Sequence, residues 1–244
     1  MGRTSELPNI ARIGALIGNP VRAQFIAALM DGSERPASEL AAMVGATPQT
    51  ASAHLASLVA GGLLAVRPHG RHRFYRLSND QVAAAIEVLS LTATQTVRPP
   101  HFDEGIRNAR RCYDHVAGRL GVTICDFVVA HGYVIAGGEG DGLTLTDTGG
   151  SWLQSLELAP PPKPQRTLVR FCADWTERRP HLAGWVGAAL CRWLEERDVI
   201  RRVSGSRALT VTPPGRAVLA RLLGEHSKHL DGSGEAKRQL PTSF

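Results

Sequence analysis

Residues 47–64, TPQTASAHLASLVAGGLL, decide how this chain folds. Thr47-Pro48 reads as a helix start. A threonine hydroxyl can accept from a free backbone N–H of the first turn, and proline's fixed φ suits the first helical position. Ala51, Leu55, Leu58 and Val59 then recur at helical spacing and mark a buried face, and Gly61-Gly62 ends the run. At the front of the other face stand Gln49, Thr50, Ser52, Ala53 and His54, where a solvated helix ordinarily carries Lys or Arg. Small and short polar side chains let a helix approach another surface closely.

The flanking segments say which surface. Upstream, PASELAAMVGA predicts a short helix with Leu40, Ala41 and Val44 on one face and Gly45 at a left-handed C-cap. Two helices joined by three or four residues, with glycine in the turn, form the helix-turn-helix pattern. The front of its second helix enters the DNA major groove, where Gln can bond adenine bidentately. Downstream, LLAVRPHGRHRFYRLS predicts strands at 63–67 and 72–77, with Pro68, His69, Gly70 and Arg71 as the turn. The hairpin carries Arg67, Arg71, Arg73 and Arg76 and no acid. A basic hairpin directly after a recognition helix is a wing, suited to the phosphate backbone or the minor groove. The candidate DNA-binding residues are therefore Ser38, Thr47, Gln49, Thr50, Ser52, Ala53, His54, Arg71, His72 and Arg73.

Composition sets the bounds. The 244 residues suffice for one or two domains with a substantial core, and 43% hydrophobic with 20% charged is ordinary for a globular protein. A net charge of +6 and a pI near 9.6 suit a polyanionic partner without requiring one. The segment IARIGALIG is too short to span a membrane and lacks a signal-peptide cleavage pattern, so a cytoplasmic location is expected. Cys112, Cys125, Cys172 and Cys191 are widely spaced, with no C-x-x-C, and suggest neither a disulfide framework nor a zinc ribbon. Pro99-Pro100 breaks the helical pattern of SNDQVAAAIEVLSLTATQT, and APPPKPQ reads as a stiff linker. The expected organisation is a DNA-binding and dimerisation domain over 1–98, a regulatory domain over 99–230 and a disordered tail over 231–244.

Residues 10–95 resemble the winged helix-turn-helix domain of ArsR-type bacterial regulators. The resemblance rests on IGNPVRAQFIAALMDG, with its Asn19-Pro20-Val21-Arg22 start, on the Ser52-x-His54-Leu55 step and on the Gly62-Leu63-Leu64 exit. It implies a homodimeric repressor that leaves an inverted-repeat operator in double-stranded DNA when an inducer binds. It also implies dimerisation through the first and last helices of the domain, with Ile10, Ile13 and Ile17 on one and Val82, Ile86 and Leu89 on the other. Metal-sensing members carry cysteines before the recognition helix, or His and acid pairs on the last helix. Here ASELAAMVG has no Cys, and the last helix has no His and only Glu87 as an acid past its first turn. No metal or cofactor is assigned.

The second half contains a repeat. GVTICDFVVAHGYVIAGGEGDGLTLTDTGGSWLQSL and GWVGAALCRWLEERDVIRRVSGSRALTVTPPGRAVLARLL each read helix, strand, glycine-containing turn, strand, helix. The expected fold is thus mainly α with short β-hairpins: a winged helix-turn-helix and one or two further winged-helix-like units. RRCYDHVAGRLG, DWTERRPHLAG and GSRALTVTP resemble the C-terminal extension of a longer ArsR-type subgroup. Within CYDH, Cys112 and His115 lie three apart and are expected to share a helix face, beside Arg110 and Arg111, which would lower the thiol pKa. A reactive thiol sensing an oxidant, a contact to a small-molecule effector, a metal pair and a structural Cys and His all fit. A metal would need further ligands, with His101, His131 and His181 as candidates. Two other functions remain open: an enzyme using Cys112 as nucleophile and His115 as base, and a nucleic-acid-binding protein without sequence preference.

Overall fold

The structure, a computed structural model, describes residues 10–69, 72–92, 104–136, 143–162 and 166–231. The chain forms two compact units, Met1–Ala83 with Gln95–Phe102 and Ala84–Thr94 with Asp103–Phe244. The expected break at Pro99 lies outside the described residues.

The first unit runs α1 (Ile10–Ile17), α2 (Pro20–Ala28), β1 (Arg35–Pro36), α3 (Ala37–Val44), α4 (Pro48–Ala60), β2 (Leu64–His69) and β3 (His72–Leu77), followed by the start of α5 (Asp80–Thr92). Asn19 starts α2, its side-chain oxygen accepting from Val21 and Arg22 N–H at 3.1 Å each. Gly45, at φ 66°, ends α3, and Ala46 N–H returns to Ala41 O at 2.9 Å. Only Gly45, Ala46 and Thr47 lie between α3 and α4, so the two helices make the expected helix-turn-helix. Phe25, Ile26, Leu29, Leu40, Ala51, Leu55 and Leu58 bury themselves between these helices, each at most 2% exposed. At ~25 cal/mol per Å² of apolar surface, this burial is what holds three short helices together. Gly62, at φ 76°, turns the chain out of α4 into the wing, with Leu63 N–H bonding Leu58 O at 3.0 Å.

β2 and β3 pair antiparallel from Leu64↔Leu77 to His69↔His72. The strand therefore runs two residues beyond its expected end, and Pro68 and His69 are paired rather than turn residues. Gly70 and Arg71 lie outside the described residues. β1 adds a third strand, against β3, through Arg35↔Tyr75 and Pro36↔Phe74. Two residues are too short a run for periodicity to reveal, and Pro36 is tolerated because it sits on an edge.

The second unit contains the rest of α5, then α6 (Glu104–Asn108), β4 (Arg110–Cys112), β5 (His115–Ala117), α7 (Gly118–Ala130), β6 (Val134–Ala136), β7 (Leu143–Leu145) and α8 (Asp147–Ser155). It continues with β8 (Arg170–Asp174), β9 (Arg179–Ala183), α9 (Gly184–Glu196), β10 (Ile200–Arg202), β11 (Leu209–Val211) and α10 (Pro213–Leu223), and closes on a 3-10 helix at Gly224–Asp231. The expected helix–hairpin–helix order is present twice. Each copy is preceded by a further hairpin, β4–β5 or β8–β9, which periodicity did not reveal because its strands are three to five residues long. The helix-turn-helix itself is not duplicated among the described residues, since neither copy has two consecutive helices ahead of its second hairpin.

From their histidines onward the copies keep one offset, while the Cys-x-Asp step before them recurs after 60 residues, at 112–114 and 172–174. His115 and His181 are 66 residues apart, as are Gly118 and Gly184, Gly121 and Gly187, Cys125 and Cys191, and the helix-capping Thr146 and Thr212. The packing is reciprocal. A methyl at Gly121 would lie 2.4 Å from Val116 O and 3.4 Å from the His181 Cβ; one at Gly187 would lie 2.4 Å from Leu182 O and 3.2 Å from the His115 Cβ. Each copy's glycine thus lets the other copy's histidine strand come close. α7 and α9 are buried along most of their length and, with Leu153, Val199, Ile200 and Leu219, form one core. Among the described residues no helix is long and apolar enough to cross a membrane.

Candidate functional site

Thr47 sets the pose of α4: its Oγ1 accepts from Thr50 N–H at 3.2 Å, and Pro48 occupies the first turn. Ala51, Leu55 and Leu58 anchor the inner face. Thr47, Gln49, Thr50, Ser52 and Ala53 are exposed, as is Ser38 at the front of α3. His54 is half-buried, with Nδ1 3.5 Å from an Arg22 guanidinium nitrogen. That guanidinium also donates to Leu16 O at 2.7 Å and Ala15 O at 2.6 Å, so His54 is tied to the packing of α1 on α2. The row is an uncharged, shallow helix face able to enter a groove and meet base edges.

The wing's arginines are not equivalent. Glu34, just before β1, accepts from Arg67 at 2.6 Å and lies 3.4 Å from Arg76. The hairpin itself has no acid, but its neighbour partly neutralises two of its four arginines. Arg73 is exposed. Arg71 lies outside the described residues, and of His72 only the backbone, paired with His69, is described.

Cys112 and His115 do not share a helix face. They are cross-strand partners that close the β4–β5 hairpin around Tyr113 and Asp114. A separation of three fits a helix face and a two-residue hairpin turn equally, and the deciding feature, φ 58° at Tyr113, has no signature in a tyrosine. The neighbouring arginines do not activate the thiol. Arg110 is fully buried, 3.6 Å from Glu87 Oε1 and 3.1 Å from Asp174 Oδ1, with Trp175 against its cation at 5.3 Å. Arg111 donates to Tyr113 O. The Cys112 thiol, 1% exposed, is pushed up to about 12 by its hydrogen bond with Cys172 and by burial. The same bond lowers Cys172.

The hairpins bring together four potential ligands. Cys112 Sγ, Cys172 Sγ and one nitrogen each of His115 and His181 all lie within 4.8 Å of one another. Of the histidines considered from sequence, His181 joins the cluster. His131 instead packs on Phe127 at 4.2 Å between ring centroids, and His101 lies outside the described residues. Cys172 was missed. Its signal was the repeat: Cys-x-Asp occurs at 112–114 and again at 172–174, each ahead of a His-x-Ala-Gly. Glu87 faces the cluster, accepting from Cys112 Sγ at 3.1 Å, Trp175 Nε1 at 3.0 Å and Arg207 at 3.0 Å.

A family model described as a helix-turn-helix domain matches residues 17–67, which span α2, α3, α4 and the start of the wing. The chain is 35% identical over 215 residues to an uncharacterized HTH-type transcriptional regulator, YdfF, of Bacillus subtilis; the match covers 86% of this chain and 94% of that protein. The chain belongs to the HTH-type transcriptional regulators. The match to YdfF takes in both units. CmtR, an HTH-type transcriptional regulator of Mycobacterium tuberculosis, is 35% identical over 77 residues, 32% of this chain and 64% of its own length. Among solved structures, a homodimeric winged helix-turn-helix DNA-binding domain from Mycobacterium bovis is 28% identical, with a TM-score of 0.32 over 36% of this chain and 90% of that one.

Proposed function

We propose that the chain is a cytoplasmic, homodimeric repressor of the ArsR type. It reads an inverted-repeat operator with α4 and the wing, and it is released by an effector sensed in its second half. The observation that carries this reading is the exposed, uncharged row Gln49, Thr50, Ser52 and Ala53, presented by a capped helix in a helix-turn-helix. Direct readout of base edges needs short polar donors and acceptors there, with cations placed on the wing.

The dimer is supported by apolar surface left exposed among the described residues. α1 buries none of its residues, and Ile10 and Ile13 are 78% and 40% exposed. On α5, Val88 and Leu89 are 54% and 47% exposed, while Val82 and Ile86 are half-buried. An enzymatic role for Cys112 and His115 finds no support in a buried thiol whose pKa is raised. The DNA-binding and dimerisation role is assigned to residues 1–98 and the regulatory role to 99–230.

Selection of bound duplexes from a random pool tests this. The full-length protein should enrich two related half-sites in inverted orientation, their centres one helical turn, about 10–10.5 base pairs, or a multiple of it apart. A pool that remains random would overturn the assignment.

A further inference from the structure

We propose that Cys112, His115, Cys172 and His181 form a tetrahedral site of two sulfurs and two nitrogens for a divalent cation of the zinc class. Two edges of such a tetrahedron already have nearly the required length, and all four donors lie within 4.8 Å of one another. The two Sγ atoms are 3.9 Å apart and the two Nε2 atoms 3.1 Å apart. A tetrahedral ion with metal–sulfur bonds of about 2.3 Å and metal–nitrogen bonds of about 2.0–2.1 Å sets those edges at about 3.8 and 3.3–3.4 Å.

The histidines are oriented as ligands. His115 Nδ1 is hydrogen-bonded to Asp114 Oδ1 at 3.1 Å; His181 Nδ1 lies 3.5 Å from Asp174 Oδ2, close enough for charge contact but without a hydrogen bond. A ring whose Nδ1–H points at a carboxylate leaves its Nε2 lone pair for a metal. Here both Nε2 atoms turn toward each other in a buried space, His115 at 2% and His181 at 0% exposure. In the free protein one Nε2–H can donate to the other Nε2 across the 3.1 Å gap; a cation held by both rings takes the place of that proton, which moves to Nδ1, where His181 has no hydrogen-bond partner. Both carboxylates come from the Cys-x-Asp step, so each repeat supplies one cysteine, one histidine and one aspartate beside that histidine.

The charge also closes. A divalent ion and two thiolates are neutral together, and loading sends the two thiol protons to solvent, including the one Cys112 gives to Glu87; the Glu87 carboxylate that then faces a thiolate is offset by Arg207 at 3.0 Å and Arg110 at 3.6 Å. Thiolate and imidazole donors in tetrahedral array favour zinc-like ions over magnesium or calcium. Half-buried Cys172 is the cluster's most accessible member. A Cys112–Cys172 disulfide would use the same sulfurs but needs an external oxidant and engages neither imidazole.

The test uses the full-length protein, reduced, stripped by chelator and titrated with Co²⁺ and then Zn²⁺. One Co²⁺ per chain should bind, with the strong visible absorption of a tetrahedral ion and a near-ultraviolet sulfur-to-cobalt band, both abolished by Zn²⁺. Cys112→Ser and Cys172→Ser should each weaken the sulfur band, and the double variant should lose it. Asp114→Asn should weaken cobalt affinity about 10–100-fold. Cys125→Ser, outside the cluster, should retain the full spectrum. The site is overturned if the reduced wild type takes up no metal, if its spectrum is that of an octahedral ion, or if the double variant keeps the sulfur band. Recovery of a Cys112–Cys172 disulfide from protein that still binds no metal after reduction would also overturn it. The wild-type titration decides the matter even if a variant fails to fold.

Discussion

Gln49 stands apart within the row on α4. Thr50 already meets Thr47 through both its N–H and its hydroxyl, and His54 meets Arg22. Gln49 offers an acceptor and two donors, unencumbered among the described residues. Gln49→Ala should cost about 1–3 kcal/mol of discrimination against a wrong base at one operator position, read as the ratio of affinities for operator and point-changed duplexes. An equal loss on both duplexes would remove Gln49 from base readout. A second residue-scale prediction concerns the close approach at the repeats. Gly187→Ala would press its new methyl onto Leu182 O at 2.4 Å, which is backbone and cannot swing away. Overpacking of this kind costs about 1–3 kcal/mol, so chemical denaturation should show the second unit destabilised by that amount. Unchanged stability would mean that the β9–α9 junction is looser than described.

Elements were legible where they were long or capped. α4 could be read because Thr47-Pro48, the apolar spacing and Gly61-Gly62 all agree, and the wing because glycine and arginine interrupt two apolar-alternating runs. β1, β4–β5 and β8–β9 could not, because a strand of two to five residues has no period to detect. The Cys112–His115 spacing then favoured a helix by default. The exposure of Gln49, Thr50, Ser52 and Ala53 was readable from helical spacing, while the cluster depends on two hairpins meeting across 66 residues of sequence. The wing carries its own prediction. Arg73→Ala and Arg71→Ala should weaken binding to every DNA sequence, and each lost phosphate contact should flatten the salt dependence by about 0.9 in log–log slope. Arg67→Ala should change it less, because Glu34 already partners Arg67 at 2.6 Å. Equal slopes in wild type, Arg71→Ala and Arg73→Ala would take the wing out of the interface.

At the scale of the molecule, α5 follows the wing in sequence. It starts at Asp80, three residues after the wing, and carries Glu87, which Cys112, Trp175 and Arg207 engage. If the effector is the cation, loading should change operator affinity by a factor of about 5–150, the usual range of allosteric coupling, measured by titration with Zn²⁺ and with chelator. Equal affinity in both states would leave the metal a purely structural role. Dimerisation is tested at Ile13 of α1. Ile13→Glu should weaken self-association about tenfold or more, since removing one buried Ile forfeits about 1.5–3 kcal/mol, and sedimentation would show it. An unaffected dimer would place the interface elsewhere.

The account centres on sequence-specific reading of duplex DNA by α4, and one ratio tests it most directly: the affinity of the full-length protein for its selected inverted-repeat duplex over that for a scrambled duplex of equal length, at one salt concentration. The account predicts a ratio of about 10³ or more, in the range of specific regulators. A ratio near one would contradict it and would leave a protein that holds DNA by charge alone.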